Sequence, residues 1–174
     1  MSTPTTEAGG DDAYNGLPGA FVYALRASDS LLFRAYLVAA LLLSLAITLV
    51  FVFGLITVLG ATAGARGGTF TFSRSFVLFV GLLVVAPLLA PVLLVARRHR
   101  RTGSSVAYDR GLALSGVLFV LSLYVGLVIS APPGARDPAG NAVVAALYAL
   151  PQLAGLVPPL LAAAGVYVAH RLLR

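Results

Sequence analysis

The chain of 174 residues contains no cysteine. Disulfides, thiolate metal sites and cysteine nucleophiles are thereby excluded. Lysine is absent too, so all twelve basic residues are arginine, and charged side chains of either sign make up only 10% of the sequence. The apolar fraction, 59%, exceeds what a water-soluble surface accommodates. No catalytic carboxylate pair, nucleophile elbow, phosphate-cradling glycine loop or metal-ligand spacing is present. The two histidines, His99 and His170, both sit among arginines, where a metal cation would be repelled. Asp109 reads as a helix cap and Asp137 as a loop residue. The expectation is a non-enzyme with no cofactor, no metal and no catalytic residue. The start of the chain has no basic stretch leading into a short apolar one, so no cleaved secretory signal is expected.

What the sequence has in quantity is uninterrupted apolar length. Residues 35–59, 76–96, 111–130 and 142–169 carry no charged side chain. A helix rises ~1.5 Å per residue, so about 20 such residues cross a ~30 Å hydrocarbon layer. Only a helix satisfies the backbone of a single segment in lipid. The expected fold is therefore an all-α integral membrane protein, a four-transmembrane-helix bundle over residues 31–171. Pro87 and Pro91 in the second run should kink it, and Pro151, Pro158 and Pro159 should bend and break the fourth. Ahead of the bundle, residues 1–16 are too polar to bury a core and read as a disordered tail. Residues 17–28 read as a short interfacial amphipathic helix, with Phe21, Val22 and Leu25 toward the headgroups and Arg26 toward water. Residues 60–75 and 131–141 read as loops, and the Thr/Ser and Phe alternation of 69–76 suggests Phe70 and Phe72 as interface anchors.

The charge is arranged as informatively as it is scarce. Residues 97–110, RRHRRTGSSVAYDR, lie between the second and third apolar runs and hold Arg97, Arg98, Arg100, Arg101 and Arg110. Arginine beside a span marks the cytoplasmic side. With Arg26, Arg34, Arg171 and Arg174 these oppose Arg66, Arg74 and Arg136. That bias predicts a multi-pass protein of the cell membrane with N- and C-termini both cytoplasmic. The same cluster suits anionic lipid headgroups, at ~1 kcal/mol per basic residue near the surface. The net charge of +6 is gathered at span ends, so no nucleic-acid partner is expected.

Within the runs, Gly111, Ser115, Ser122 and Gly126 share one helical face and form a packing stripe. Gln152, an amide deep in an apolar run, could line a polar cavity with Tyr124 and Tyr148. Shifting the chain by 72 residues pairs Tyr36 with Tyr108 and the PLLA beginning at Pro87 with that at Pro159, which suggests a repeated hairpin. The Lys-free, Ala/Val/Arg-rich composition, YALRASDSLLFRAY before the first run and VLLVARRHRR at the end of the second resemble small uncharacterised four-span membrane proteins of halophilic archaea. That resemblance implies the four-span fold and no known activity. The functional expectation is a subunit, scaffold or accessory component of a membrane assembly, in contact with the lipid bilayer and with a homo-oligomeric or membrane-protein partner. The alternative is a small transporter or channel built from proline-kinked helices.

Overall fold

A computed structural model describes residues 16–64, 68–136 and 141–174. The expected disordered tail, apart from Gly16, lies outside these residues, as do Arg66 and Asp137. The architecture is all-helical: α1 (Gly16–Ala27), α2 (Leu31–Ala61), α3 (Gly68–Thr102), α4 (Val106–Ile129), α5 (Ala142–Tyr148) and α6 (Val157–Leu172), with 310 turns at Pro133–Ala135 and Gln152–Leu156. Four helical stretches are long and apolar enough to cross a membrane: Leu31–Ala61, Thr71–Thr102, Val106–Ile129 and Gln152–Leu172. The protein is a four-span helical membrane bundle.

Each boundary has a local cause. Ser30 caps α2 by accepting the N–H of Phe33 at 3.2 Å. Ser105 does the same for Tyr108, also at 3.2 Å, so α4 begins at Val106, and Ser105 takes the capping role expected of Asp109. The expected basic loop is accordingly mostly helix. Arginine favours helix and suits a helix C-terminus, and α3 continues through the cluster until Gly103, whose φ of +75° lies in the left-handed region that ends helices. Residues 69–76 are helical rather than strand-like: Phe72 and Phe76, one turn apart, stack with centroids 6.1 Å apart.

Proline has two outcomes. Pro87 and Pro91 sit within α3, which runs on as helix past both. Pro151 instead stops the fourth run, so its spanning part begins at Gln152 rather than residue 142, with α5 as a separate short helix. Pro158 and Pro159 fall in the first turn of α6, where a missing N–H leaves no hydrogen bond unmade. The two hairpins of the suggested 72-residue repeat differ in these details. The caps Ser30 and Ser105 do not coincide under that shift, and α3 is continuous where its counterpart is interrupted.

Helix α4 is the centre of the bundle. Of its most apolar stretch 39% is buried, against 11% for α2. Its buried residues run from Tyr108 to Ile129, whereas those of α2 stop at Ser44. Gly116 lets Tyr36 of α2 approach α4, because a Cβ there would overlap the Tyr36 ring. The Tyr36 hydroxyl reaches on to donate to the Leu88 carbonyl at 2.6 Å, in the turn of α3 just before Pro91. Helix α1 packs against α3 through Ala20, Phe21 and Ala24. Phe21, expected among headgroups, is buried in protein, while Val22 and Leu25 stay exposed.

Candidate functional site

The residues with chemistry meet at the end of the bundle where α2 and α4 begin and α3 and α6 finish. Asp109, in the first turn of α4, is 1% exposed. Its carboxylate accepts from three side chains: the Ser28 hydroxyl at 2.5 Å, the His99 Nε2–H at 2.9 Å and the Ser104 hydroxyl at 2.8 Å. These donors come from the α1–α2 junction, the last turn of α3 and the α3–α4 turn. A buried carboxylate is tolerated because its lone pairs are occupied in this way. Ser28 is itself fully engaged: its hydroxyl accepts the Ser30 N–H at 3.3 Å and its carbonyl accepts Arg34 Nε–H at 2.8 Å.

A second set lies beside the first. Arg98 spreads its guanidinium over the Tyr108 ring, 4.2 Å from the centroid, and donates to the Leu173 carbonyl at 3.3 Å. The Tyr108 hydroxyl pairs with His170 Nδ1 at 2.7 Å. The C-terminal end of α6 is thus tied to α3 and α4. Arg98 Nε is buried with no hydrogen-bond partner among the described residues.

Serine, histidine and aspartate side by side invite comparison with a hydrolytic triad, but the wiring differs. In a triad the histidine stands between serine and carboxylate and takes the serine proton. Here Ser28 and His99 both donate to Asp109 Oδ2, so the histidine does not mediate between them. The arrangement holds helices together and activates no hydroxyl by that route. Among the described residues, no group of three or more His, Asp or Glu side chains is placed to hold a metal ion.

The sequence candidates fall in several places. Of the five clustered arginines, Arg98 turns inward, while Arg97, Arg100, Arg101 and Arg110 are exposed. In the stripe, Gly111 faces Leu173 and Gly126 faces Gly155 and Pro159, each closely enough that a Cβ would collide. Ser115 and Ser122 donate within α4, to the carbonyls of Leu112 and Phe119. The cavity expected of Gln152, Tyr124 and Tyr148 is not gathered: Gln152 and Tyr124 are exposed, and Gln152 contributes its backbone carbonyl to the Ser130 hydroxyl at 3.0 Å. The Tyr148 carbonyl accepts from Arg136 at 2.9 Å. Sequence reasoning missed Asp109 as the hub, Ser28 and Ser104 as its partners, and Gly116. The only advance signal was Asp109 itself, an acid inside a basic segment.

The chain belongs to the family described as domain of unknown function (DUF8056), which it matches over residues 3–174. No curated protein and no solved structure matches it.

Proposed function

We propose that this family member is a non-enzymatic subunit, scaffold or accessory component of a membrane assembly, with its arginine-rich end and both chain ends in the cytoplasm. One observation carries the reading. The buried polar residues among those described, Ser28, Ser30, Ser44, Thr62, Asp109 and Ser122, all find their partners inside the protein. A carrier needs polar groups in the membrane layer to replace the water its solute leaves behind, and the two of these that lie well inside the spans, Ser44 and Ser122, are occupied by bonds within their own helices. The orientation is supported by Arg74 and Arg136 at the opposite end, which donate to carbonyls just past the ends of α2 and α4 and so have a structural reason to be there.

Extraction from native membranes in mild detergent tests the role. A homo-oligomer or a complex of fixed stoichiometry is expected. A monomer that moves ions or small solutes across liposomes would overturn the proposal. The transporter reading draws on one observation, that Pro87 and Pro91 deprive the carbonyls of Leu83 and Pro87 of their usual donors inside α3. It predicts that flux, together with its loss on Pro91→Ala. Orientation is tested on the cysteine-free background with Thr102→Cys and Gly134→Cys, both at exposed positions. A membrane-impermeant maleimide should label only Gly134→Cys from outside the cell; labelling of Thr102→Cys instead would invert the assignment.

A further inference from the structure

The membrane-facing side of the bundle carries a groove between α2 and α4, and its composition and position indicate what fills it. On α2 it is lined by Leu32, Ala35, Ala39 and Leu43, and on α4 by Val117 and Leu121. Alanine at 35 and 39 keeps that face of α2 low, which is why a channel remains between the two helices. Ser28 meets Asp109 and Tyr36 meets Gly116, so α2 and α4 run side by side in the same direction, with the start of α2 level with Arg110. Arg110, Val117 and Leu121 fall within about 20° of one line along α4, at ~100° per residue. Arg110 is exposed, and it therefore stands at the head of the groove.

We infer that this groove is a binding site for one anionic phospholipid, an acyl chain lying between α2 and α4 and the phosphate resting on Arg110. Charge complementarity selects the occupant. The floor is apolar and matches a hydrocarbon chain, while the entrance carries a guanidinium, which pairs with phosphate through two parallel N–H donors. Arg98 cannot serve, since it is spread over Tyr108 within the protein. The remaining cluster arginines are on α3, which does not line the groove. The inference rests on the membrane-spanning fold alone and is independent of the subunit role.

The test uses the full chain in nanodiscs of phosphatidylcholine with a minor share of phosphatidylglycerol, re-extracted and weighed by native mass spectrometry. One retained phosphatidylglycerol per chain is expected. Arg110→Gln should lower its retention about fivefold, the equivalent of ~1 kcal/mol for one interfacial charge. Ala39→Phe fills the groove while leaving every charge in place, and should lower retention at least as much. Arg101→Gln should have less than half of that effect. Ala39 and Arg110 are both exposed, so the fold should survive, and equal thermal midpoints in pure phosphatidylcholine would verify it. Equal losses for Arg101→Gln and Arg110→Gln would show diffuse attraction to the basic end and overturn the inference. Full retention in Ala39→Phe would overturn it as well, by showing that no chain occupies the groove.

Discussion

At one end of the bundle the carboxylate of Asp109 gathers donors from residues as far away in sequence as Ser28, 81 positions earlier. At the other end the polar contacts span shorter stretches of chain, the longest being that of the Ser130 hydroxyl with the Gln152 carbonyl, 22 positions on. Arg74 grips Thr62, donating to its carbonyl at 3.0 Å and its hydroxyl at 2.7 Å, twelve residues away. Arg136 donates to the carbonyls of Ala131 and Tyr148, each at 2.9 Å. The second pattern closes helix C-termini, where unmatched carbonyls and the helix dipole favour a cation. It fixes how a turn is made and leaves helix order in space undetermined. The first pattern joins α1, α2, α3 and α4 at one point, and the neighbouring Arg98–Tyr108–His170 set adds α6. The hydrophobic cluster lies toward the same end, around Phe33, Tyr36, Val92, Val95, Tyr108 and Leu112. The polar ties that join many helices are therefore concentrated at the basic end, while away from it α4 and the turn leading into α6 are held by close packing, as of Gly126 on Gly155.

The largest effect that this contrast predicts is at Asp109. Asp109→Ala strands three donors in a closed space and should cost about 3 kcal/mol in reversible thermal unfolding in detergent. A loss no greater than that of Arg136→Gln would erase the difference between the ends. Next comes the contact between α2 and α4. Gly116→Val would drive a side chain into Tyr36 and should cost about 2 kcal/mol, whereas Gly54→Val on the half of α2 away from the basic end, where nothing lies within 4 Å, should shift the midpoint little. Equal effects at both glycines would mean that packing is uniform along the bundle. A smaller loss, about 1 kcal/mol, is expected for Arg74→Gln or Arg136→Gln, because each is a local cap. Their signature should be faster backbone hydrogen exchange confined to the adjoining turn. Smallest is Tyr36→Phe, which removes one hydrogen bond inside the membrane layer and should cost about 0.6 kcal/mol.

The spans were legible because apolar length is a local property that any window of the chain displays. Residues 35–59 and 111–130 needed no partner to announce themselves; the first lies within α2 and the second within α4 but for its capping residue, Ser130. The proline outcomes were harder to read, since the same residue is tolerated inside α3 and breaks the chain at Pro151, and the choice depends on what surrounds the freed carbonyls. Asp109 reads as a cap from its place before an apolar run, yet Ser104 and Ser105 just ahead of it have the same capping chemistry. Once Ser105 takes that position, the carboxylate is left for other work. Its partners Ser28 and His99 could not be read in advance, because nothing in the spacing of three distant polar residues says that the bundle will bring them together. Gly116 was passed over for a similar reason: the stripe Gly111, Ser115, Ser122 and Gly126 describes one face of α4, and Gly116 looks out from another, toward α2.

The bond between Ser28 and Asp109 also constrains the order of assembly during synthesis. The α1–α2 junction emerges from the ribosome and enters the bilayer with its first hairpin while its acceptor is still untranslated. Until α4 follows, the junction is held by Ser28 and Arg34 and by the packing of α1 on α3, without its polar tie to Asp109. The first helix to emerge is thus fixed in two steps, by packing on α3 and then by the bond to α4, and a nascent chain halted before Asp109 would hold α1 by apolar contact alone.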